Sequence, residues 1–125
     1  MTRFLVDTHA LLWWLADDPA LSSPARDAIA DPVNEPLVST ASIWEIAIKQ
    51  SLGKLNAPDD LPETILHEGF SYLPVGAATA WYVRELPMHH RDPFDRLLAA
   101  QALTERMFVV TADTRFLDYA VETRW

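Results

Sequence analysis

Short apolar runs of strand character alternate with stretches of helical period along this chain. Arg3 to Asp7 (RFLVD) reads as a β-favouring run, and His9 to Ala16 has helical character. Ser23-Pro24 supplies a hydroxyl cap and a proline in the first helical position, opening a helix over ARDAIA. Leu37 to Ser39 is a second short strand introduced by Pro36. Thr40 to Leu52 is the clearest helix, with Ile43, Ile46, Ala47 and Gln50 at helical spacing and Gly53 as its stop. A weaker helix over Leu61 to Gly69 leads into a third strand, Phe70 to Val75. A helix from Ala77 to Leu86 is ended by Pro87, and a strong one spans Pro93 to Arg106. Phe108 to Thr111 (FVVT) looks like a buried strand, followed by a short helix over Thr114 to Tyr119 and a last strand near Val121.

Strands separated by helices predict a parallel sheet covered on both faces, a three-layer α/β fold. The 125 residues, half of them apolar, suit one compact core and one domain over 1–125. No apolar run approaches the roughly 20 residues that cross a bilayer. The N-terminal apolar stretch is interrupted by Asp7 and His9 without a cleavage site, so a signal peptide is not expected. With no cysteine, disulfides, zinc thiolates and cysteine nucleophiles are excluded, and the expected location is cytoplasmic. A net charge of −8 argues against a broad basic surface for nucleic acid. It is compatible with an enzyme that reaches phosphates through bound cations, and with a basic partner protein.

In open α/β sheets ligands sit beyond the carboxyl ends of the strands. Four acids fall near such positions. Asp7 ends the first strand, Asp113 lies beyond FVVT, Glu45 sits one turn into the helix after the second strand, and Asp95 is in the first turn of the Pro93 helix. Clustered carboxylates are the hard-oxygen ligands of Mg²⁺ or Mn²⁺. Each acid also has a plain structural role available. Asp7 and Asp113 suit helix N-caps, Asp92 and Asp95 a capping pair around Pro93, and Glu45 an i,i+4 pair with Lys49.

The blocks FLVDTHALLWWL, VSTASIWEIAIKQSLGKL, RDPFDRLLAAQAL and FVVTADTRF, in that order, strongly resemble the PIN-domain ribonucleases, and among them the VapC-like toxins of bacterial toxin–antitoxin pairs. The resemblance covers essentially the whole chain. It implies a PIN-like three-layer α/β/α sandwich with a short, mostly parallel central sheet. It further implies an endoribonuclease that hydrolyses RNA with Mg²⁺ (or Mn²⁺) and activated water, a cognate antitoxin as partner, and a homodimer. The family's acids match Asp7 in VDTHA, Glu45 in SIWEI, Asp95 in DRLLAAQA and Asp113 in VTAD. Asp7, Glu45 and Asp95 would hold one or two cations, and Asp113 would position the water or a second metal. Asp92 stands as an extra acid without an assigned ligand role.

Other residues carry weaker expectations. Thr8, Ser39 and Thr111 flank the acids as hydrogen-bonding candidates or as ordinary caps. His89-His90-Arg91 reads as an exposed loop, with contact to RNA phosphates or proton shuttling as its alternative. His9 reads as a packing or outer residue, because Leu11 breaks a His-x-His motif. Lys49 and Lys54 divide between a solvated face and a phosphate contact, and Arg96 is a candidate partner for an acid of the cluster. Trp13, Trp14, Trp44 and Trp81 read as core or as an oligomer or partner interface rather than as base-stacking platforms. A phosphoaspartyl phosphatase would need an acid two residues beyond Asp7, where this chain has His9. A non-catalytic module whose acids bind a basic partner remains the second alternative.

Overall fold

The computed structural model describes residues 2–125. Strands β1 (Arg3–Val6), β2 (Glu35–Ser39), β3 (Ser71–Leu73), β4 (Phe108–Val110) and β5 (Thr123–Arg124) form one parallel sheet in the order β3-β2-β1-β4-β5. The α-helices are α1 (Thr8–Leu15), α2 (Ser23–Ala30), α3 (Thr40–Ser51), α4 (Leu61–His67), α5 (Ala77–Tyr82) and α6 (Pro93–Glu105). The chain moves outward from β1 to β2 and β3, then returns to the other side of β1 for β4 and β5. The reversal opens a crevice at the carboxyl ends of β1 and β4.

Alternation along the strands divides the core into two layers. Phe4, Val6, Val38 and Val110 face Ala10 and Leu11 of α1, Ala25 and Ile29 of α2, Ile46 of α3 and Ile65 of α4. Leu5, Leu37 and Val109 face the opposite way, against Leu98, Ala99 and Ala102 of α6 and against Phe116 and Tyr119. The result is the expected three-layer sandwich. Among the described residues no helix is long and apolar enough to cross a membrane.

Several boundaries differ from the sequence reading, each for a local reason. β2 starts at Glu35, not after Pro36. Glu35 N–H donates toward β1, to the Thr2 carbonyl at 2.8 Å, so the proline nitrogen faces the β3 side, where pairing begins only at Leu37 and Ser71. The missing donor is therefore not needed. β3 is confined to three residues because Pro74 follows Leu73. The expected helix over Ala77 to Leu86 stays α-helical only to Tyr82 and tightens to a 3₁₀ turn, Val83–Glu85. Leu86 is extended (φ −76°, ψ 132°), as the residue before a proline prefers. Thr114–Tyr119 is also 3₁₀ rather than α, and the last strand is Thr123–Arg124, with Val121 buried just before it. The cap of α2 is Ser22, whose side chain accepts from Ala25 N–H, rather than Ser23.

Trp44 and Trp81 are 61% and 68% exposed and so are not core residues. Trp44 packs edge-on against Phe94 (centroids 5.3 Å apart), and Trp81 lies under the Arg84 guanidinium. Trp13 and Trp14 are half-buried, against Trp125 and Phe70 respectively.

Leu98 is 1% exposed at the centre of the α6 layer. Leu98→Ala is expected to destabilise the protein by about 2–5 kcal/mol through lost burial and a residual cavity. Trp81→Ala should move stability by about 0.5 kcal/mol or less. Urea denaturation of the two variants beside the parent checks both values.

Candidate active site

Four segments deliver acids to the crevice. Asp7 directly follows β1, where its N–H donates to the Val110 carbonyl of β4 (3.1 Å), tying the two strand ends together. It is also the N-cap of α1, Oδ1 accepting from Ala10 N–H at 2.8 Å. Only 6% of its surface is exposed, and burial pushes its carboxyl above the usual carboxylate range. The Thr111 and Ala10 hydrogen bonds and nearby His9 oppose that shift.

Asp95 lies in the first turn of α6, whose N-cap is Asp92. The Asp92 carboxylate accepts from the N–H groups of Phe94 (2.8 Å) and Asp95 (3.3 Å). Burial is the main cause that raises the Asp95 carboxyl to about 6, followed by the charge of Asp92, with Asp7 and Glu45 adding to it and His90 opposing. Of the expected capping pair around Pro93 only Asp92 caps, since its own N–H goes to His90 Nδ1 rather than to the Asp95 carboxylate, and Asp95 is left among like charges.

Asp113 caps the 3₁₀ segment after β4. Arg115 grips it at both oxygens, Nε to Oδ1 at 3.0 Å and Nη2 to Oδ2 at 2.8 Å, which with further hydrogen bonds lowers its carboxyl to about 2. Thr111 Oγ1 accepts from Asp113 N–H and holds the turn.

Glu45 is 4% exposed on α3. Thr8 Oγ1 donates to its Oε1 and Lys49 Nζ to its Oε2, each at 2.7 Å. The Lys49 pairing expected as the plain role of Glu45 is present, and it holds the ammonium protonated above its usual range. Ser39, in contrast, only caps α3 through Ala41 N–H.

The sequence reading missed the most central side chain. His89 and Arg91 are exposed, as expected of a loop, but His90 between them is only 4% exposed. Its Nε2 lies 2.9 Å from Asp113 Oδ2 and 3.0 Å from Asp95 Oδ2. One ligand atom from each of His90, Asp95 and Asp113 lies within 4.8 Å of the others, the group among the described residues that is compact enough to hold a cation. Asp7 and Glu45 fall outside this tightest group but raise the Asp95 carboxyl by their charge. Arg115 was missed as well. A basic residue two positions past a capping aspartate was the available signal.

Arg96 pairs with no acid of the cluster. Its guanidinium donates to the carbonyls of Val83, Leu86 and Pro87 at 2.9–3.2 Å and to Tyr119 Oη at 3.3 Å. That planar fork closes the loop between α5 and α6 that carries His90. His9 is exposed and stacks on Trp13.

Asp7 and Asp95, whose ionised forms burial disfavours, stand with Glu45 and Asp113 as hard-oxygen donors of the kind that suits a divalent cation, with the one imidazole of His90 among them. The PIN domain family model matches residues 4–122. The chain is 33% identical to Ribonuclease VapC22 of Mycobacterium tuberculosis, over 92% of this chain and 90% of that protein. Its fold is similar to VapBC2 of Rickettsia felis bound to a promoter DNA fragment, with a TM-score of 0.71 and 14% identity over 99% of this chain and 100% of the other. It is also similar to DNA-bound VapBC of Salmonella typhimurium, with a TM-score of 0.70 and 16% identity over 98% and 97%.

The Asp95 shift has a sign that can be measured. The unfolded carboxyl ionises near 3.8 and the folded one near 6, so the metal-free protein loses stability as pH rises through this window. Asp95→Asn has no such loss. Above pH 6, with EDTA present, the variant is expected to be more stable than the parent by about 1 kcal/mol after solvent screening. The difference should vanish near pH 4. Asp113 acts oppositely, its stabilisation being present above pH 3.8 and lost as pH falls through about 2, and it cancels in the comparison. Urea denaturation at pH 4 and pH 7 checks the prediction.

Proposed function

The chain is a member of the PIN-domain family, and from that premise we propose that it is a metal-dependent endoribonuclease, the toxin of a toxin–antitoxin pair. The single observation that carries this reading is the pair of mutually repelling carboxylates, buried Asp7 after β1 and half-buried Asp95 at the start of α6, whose ionised forms are both disfavoured. A divalent cation held by these carboxylates would supply an activated water and neutralise charge on the phosphate.

Asp7, Glu45 and Asp95 are the proposed oxygen donors to Mg²⁺ or Mn²⁺. Asp113, held as an ion pair by Arg115, orients the attacking water. Thr8 and Lys49 fix the Glu45 carboxylate by one hydrogen bond at each oxygen. Lys49 and Arg115 also leave positive charge at the rim, where an RNA phosphate would approach. Residues 1–125 act as one PIN-like domain in this reading. A cytoplasmic location is supported by the absence of cysteine. The net charge of −8 suits a cognate antitoxin that presents a basic segment to the acidic crevice.

A second reading, a binding module whose acids only hold a basic partner, differs at one point: it requires no RNA cleavage. Purified protein is expected to cut a mixed structured RNA with Mg²⁺ or Mn²⁺ and not with EDTA. Asp95→Asn, purified identically, should lose at least about a hundredfold in rate, as removal of an electrostatic contributor to the transition state does. Equal cleavage by both proteins would mark a contaminating nuclease, and no cleavage by the parent would favour the binding module.

Metal binding has its own readout. At a hundredfold excess over its dissociation constant, Mn²⁺ should stabilise the fold by about 2.7 kcal/mol, and Asp7→Asn should remove most of that gain. Thermal unfolding with and without Mn²⁺ measures it.

A further inference from the structure

His90 occupies the centre of the acid cluster, and neither the family match nor the four-acid assignment gives it a role. We propose that His90 is a positioning residue: its Nε2–H clasps Asp95 to Asp113 and stays on them as an outer donor when the cation binds, without becoming a ligand itself. The inference rests on the metal-dependent reading above and adds the device that gathers the carboxylates for the cation.

The tautomer follows from the backbone. Asp92 N–H points at His90 Nδ1 at 3.1 Å. An amide N–H can only donate, so Nδ1 presents its lone pair and the proton of the neutral ring sits on Nε2. That nitrogen faces Asp113 Oδ2 at 2.9 Å and Asp95 Oδ2 at 3.0 Å, and the single proton is shared between them. With its proton directed at two carboxylates, Nε2 has no lone pair to offer a metal.

The ring is held from several sides. The backbone N–H of His90 donates to Tyr119 Oη at 2.8 Å, fixing the residue that carries the ring, and Tyr119 Oη also accepts from Arg96. Phe116 meets the imidazole edge-on with centroids 6.3 Å apart. A buried, tautomer-fixed donor of this kind cannot turn away to relieve a misplaced proton. Its geometry sets how Asp95 and Asp113 stand relative to one another. Asp95 accepts no other side-chain hydrogen bond among the described residues, which leaves the lone pairs of Oδ1 uncommitted. Without the Nε2–H, like charge would drive the two carboxylates apart, and an incoming cation would have to regather them. Groups that orient metal-binding side chains in this way change metal affinity by about 10–100-fold.

Calorimetry of Mn²⁺ binding tests the proposal on the full chain. His90→Ala is expected to bind Mn²⁺ at least about tenfold more weakly than the parent. His90→Gln, whose side-chain amide carries an N–H close to the position of Nε2, should recover most of the affinity. Thermal unfolding identifies a variant that fails to fold. ¹⁵N NMR of the His90 ring in the parent supplies a readout independent of any variant. Nε2 should be protonated and Nδ1 bare, both before and after saturation with Mg²⁺.

A proton on Nδ1, or loss of the Nε2 proton as Mg²⁺ binds, overturns the proposal, the latter by making His90 a ligand. So does unchanged or tighter Mn²⁺ binding by His90→Ala, or a His90→Gln variant no better than His90→Ala. If the parent itself binds neither cation, the metal-dependent reading falls and this inference falls with it. If the parent binds and the variants match it, only the role of His90 falls.

Discussion

Carboxylates about 5 Å apart repel by roughly 3 kcal/mol at an effective dielectric near 20. A domain of this size has about 5–15 kcal/mol of stability in total. The crevice therefore holds its acids only because each has some answer to that repulsion. Glu45 is neutralised by Lys49 and hydrogen-bonded by Thr8. Asp113 is gripped by Arg115 at both oxygens. Asp7 lies at the N-terminus of α1 and accepts one of its free N–H groups. Asp95 receives the shared proton of His90, which does not offset its burial and the charge of Asp92, and its carboxyl is pushed up to about 6, while burial raises that of Asp7 as well. The ionised forms of Asp7 and Asp95 are both disfavoured, and a cation held between them would relieve both.

The fold decides which acids meet. With β1 between β2 and β4, the chain segments leaving those strands enter one crevice, although they are separated by tens of residues in sequence. α1 begins at Thr8, immediately after β1, and α3 at Thr40, immediately after β2. Their amino ends thus bring partial positive charge to the edge of the sheet where Asp7 and Glu45 stand. α6 does the same for Asp95 through its first turn. The two core layers hold these starts in place, Leu11 and Ile46 on one face and Leu98 on the other, each nearly inaccessible to solvent. Packing far from the crevice is in this way responsible for its geometry.

Much of this was legible in the order of residues, because the governing signals are local. RFLVD and FVVT are short apolar runs that end in or just before an acid, and DPFD carries its own helix start. The three-layer fold and the four acids could be read from such patterns together with the family resemblance. What could not be read depends on where loops pass in space. HHRD looks like a polar loop, yet Arg96, one turn into the next helix, ties that loop's approach by donating to three of its carbonyls, and the ring of His90 is driven inside. The 3₁₀ tightening before Leu86 and the shortness of β3 depend on prolines, whose presence was visible while the residue at which each acts was not. Trp44 and Trp81 show the limit of periodicity, since an apolar residue in an apolar helix is not obliged to face the core, and of the two expected roles only that of an interface is left to them.

The plain and the chemical readings of these acids turn out not to compete. Asp7 caps α1 with one oxygen, Asp92 caps α6, Asp113 caps its 3₁₀ segment and Glu45 pairs with Lys49. Capping needs a carboxylate at the start of a helix, and in a parallel α/β sheet helix starts lie at the carboxyl ends of strands, which is where the crevice opens. A cap also orients its side chain without calling on the ligand, because one oxygen is fixed by a backbone N–H while the carboxylate retains further lone pairs. The hydrogen bonds that satisfy the helix ends therefore hold the carboxylates still enough to serve a cation. The same economy extends to His90, whose ring is oriented by the backbone N–H of the very residue that caps the helix bearing Asp95. A change at that cap would disturb helix start, tautomer and acid together, so the structural and chemical roles of this edge are one constraint.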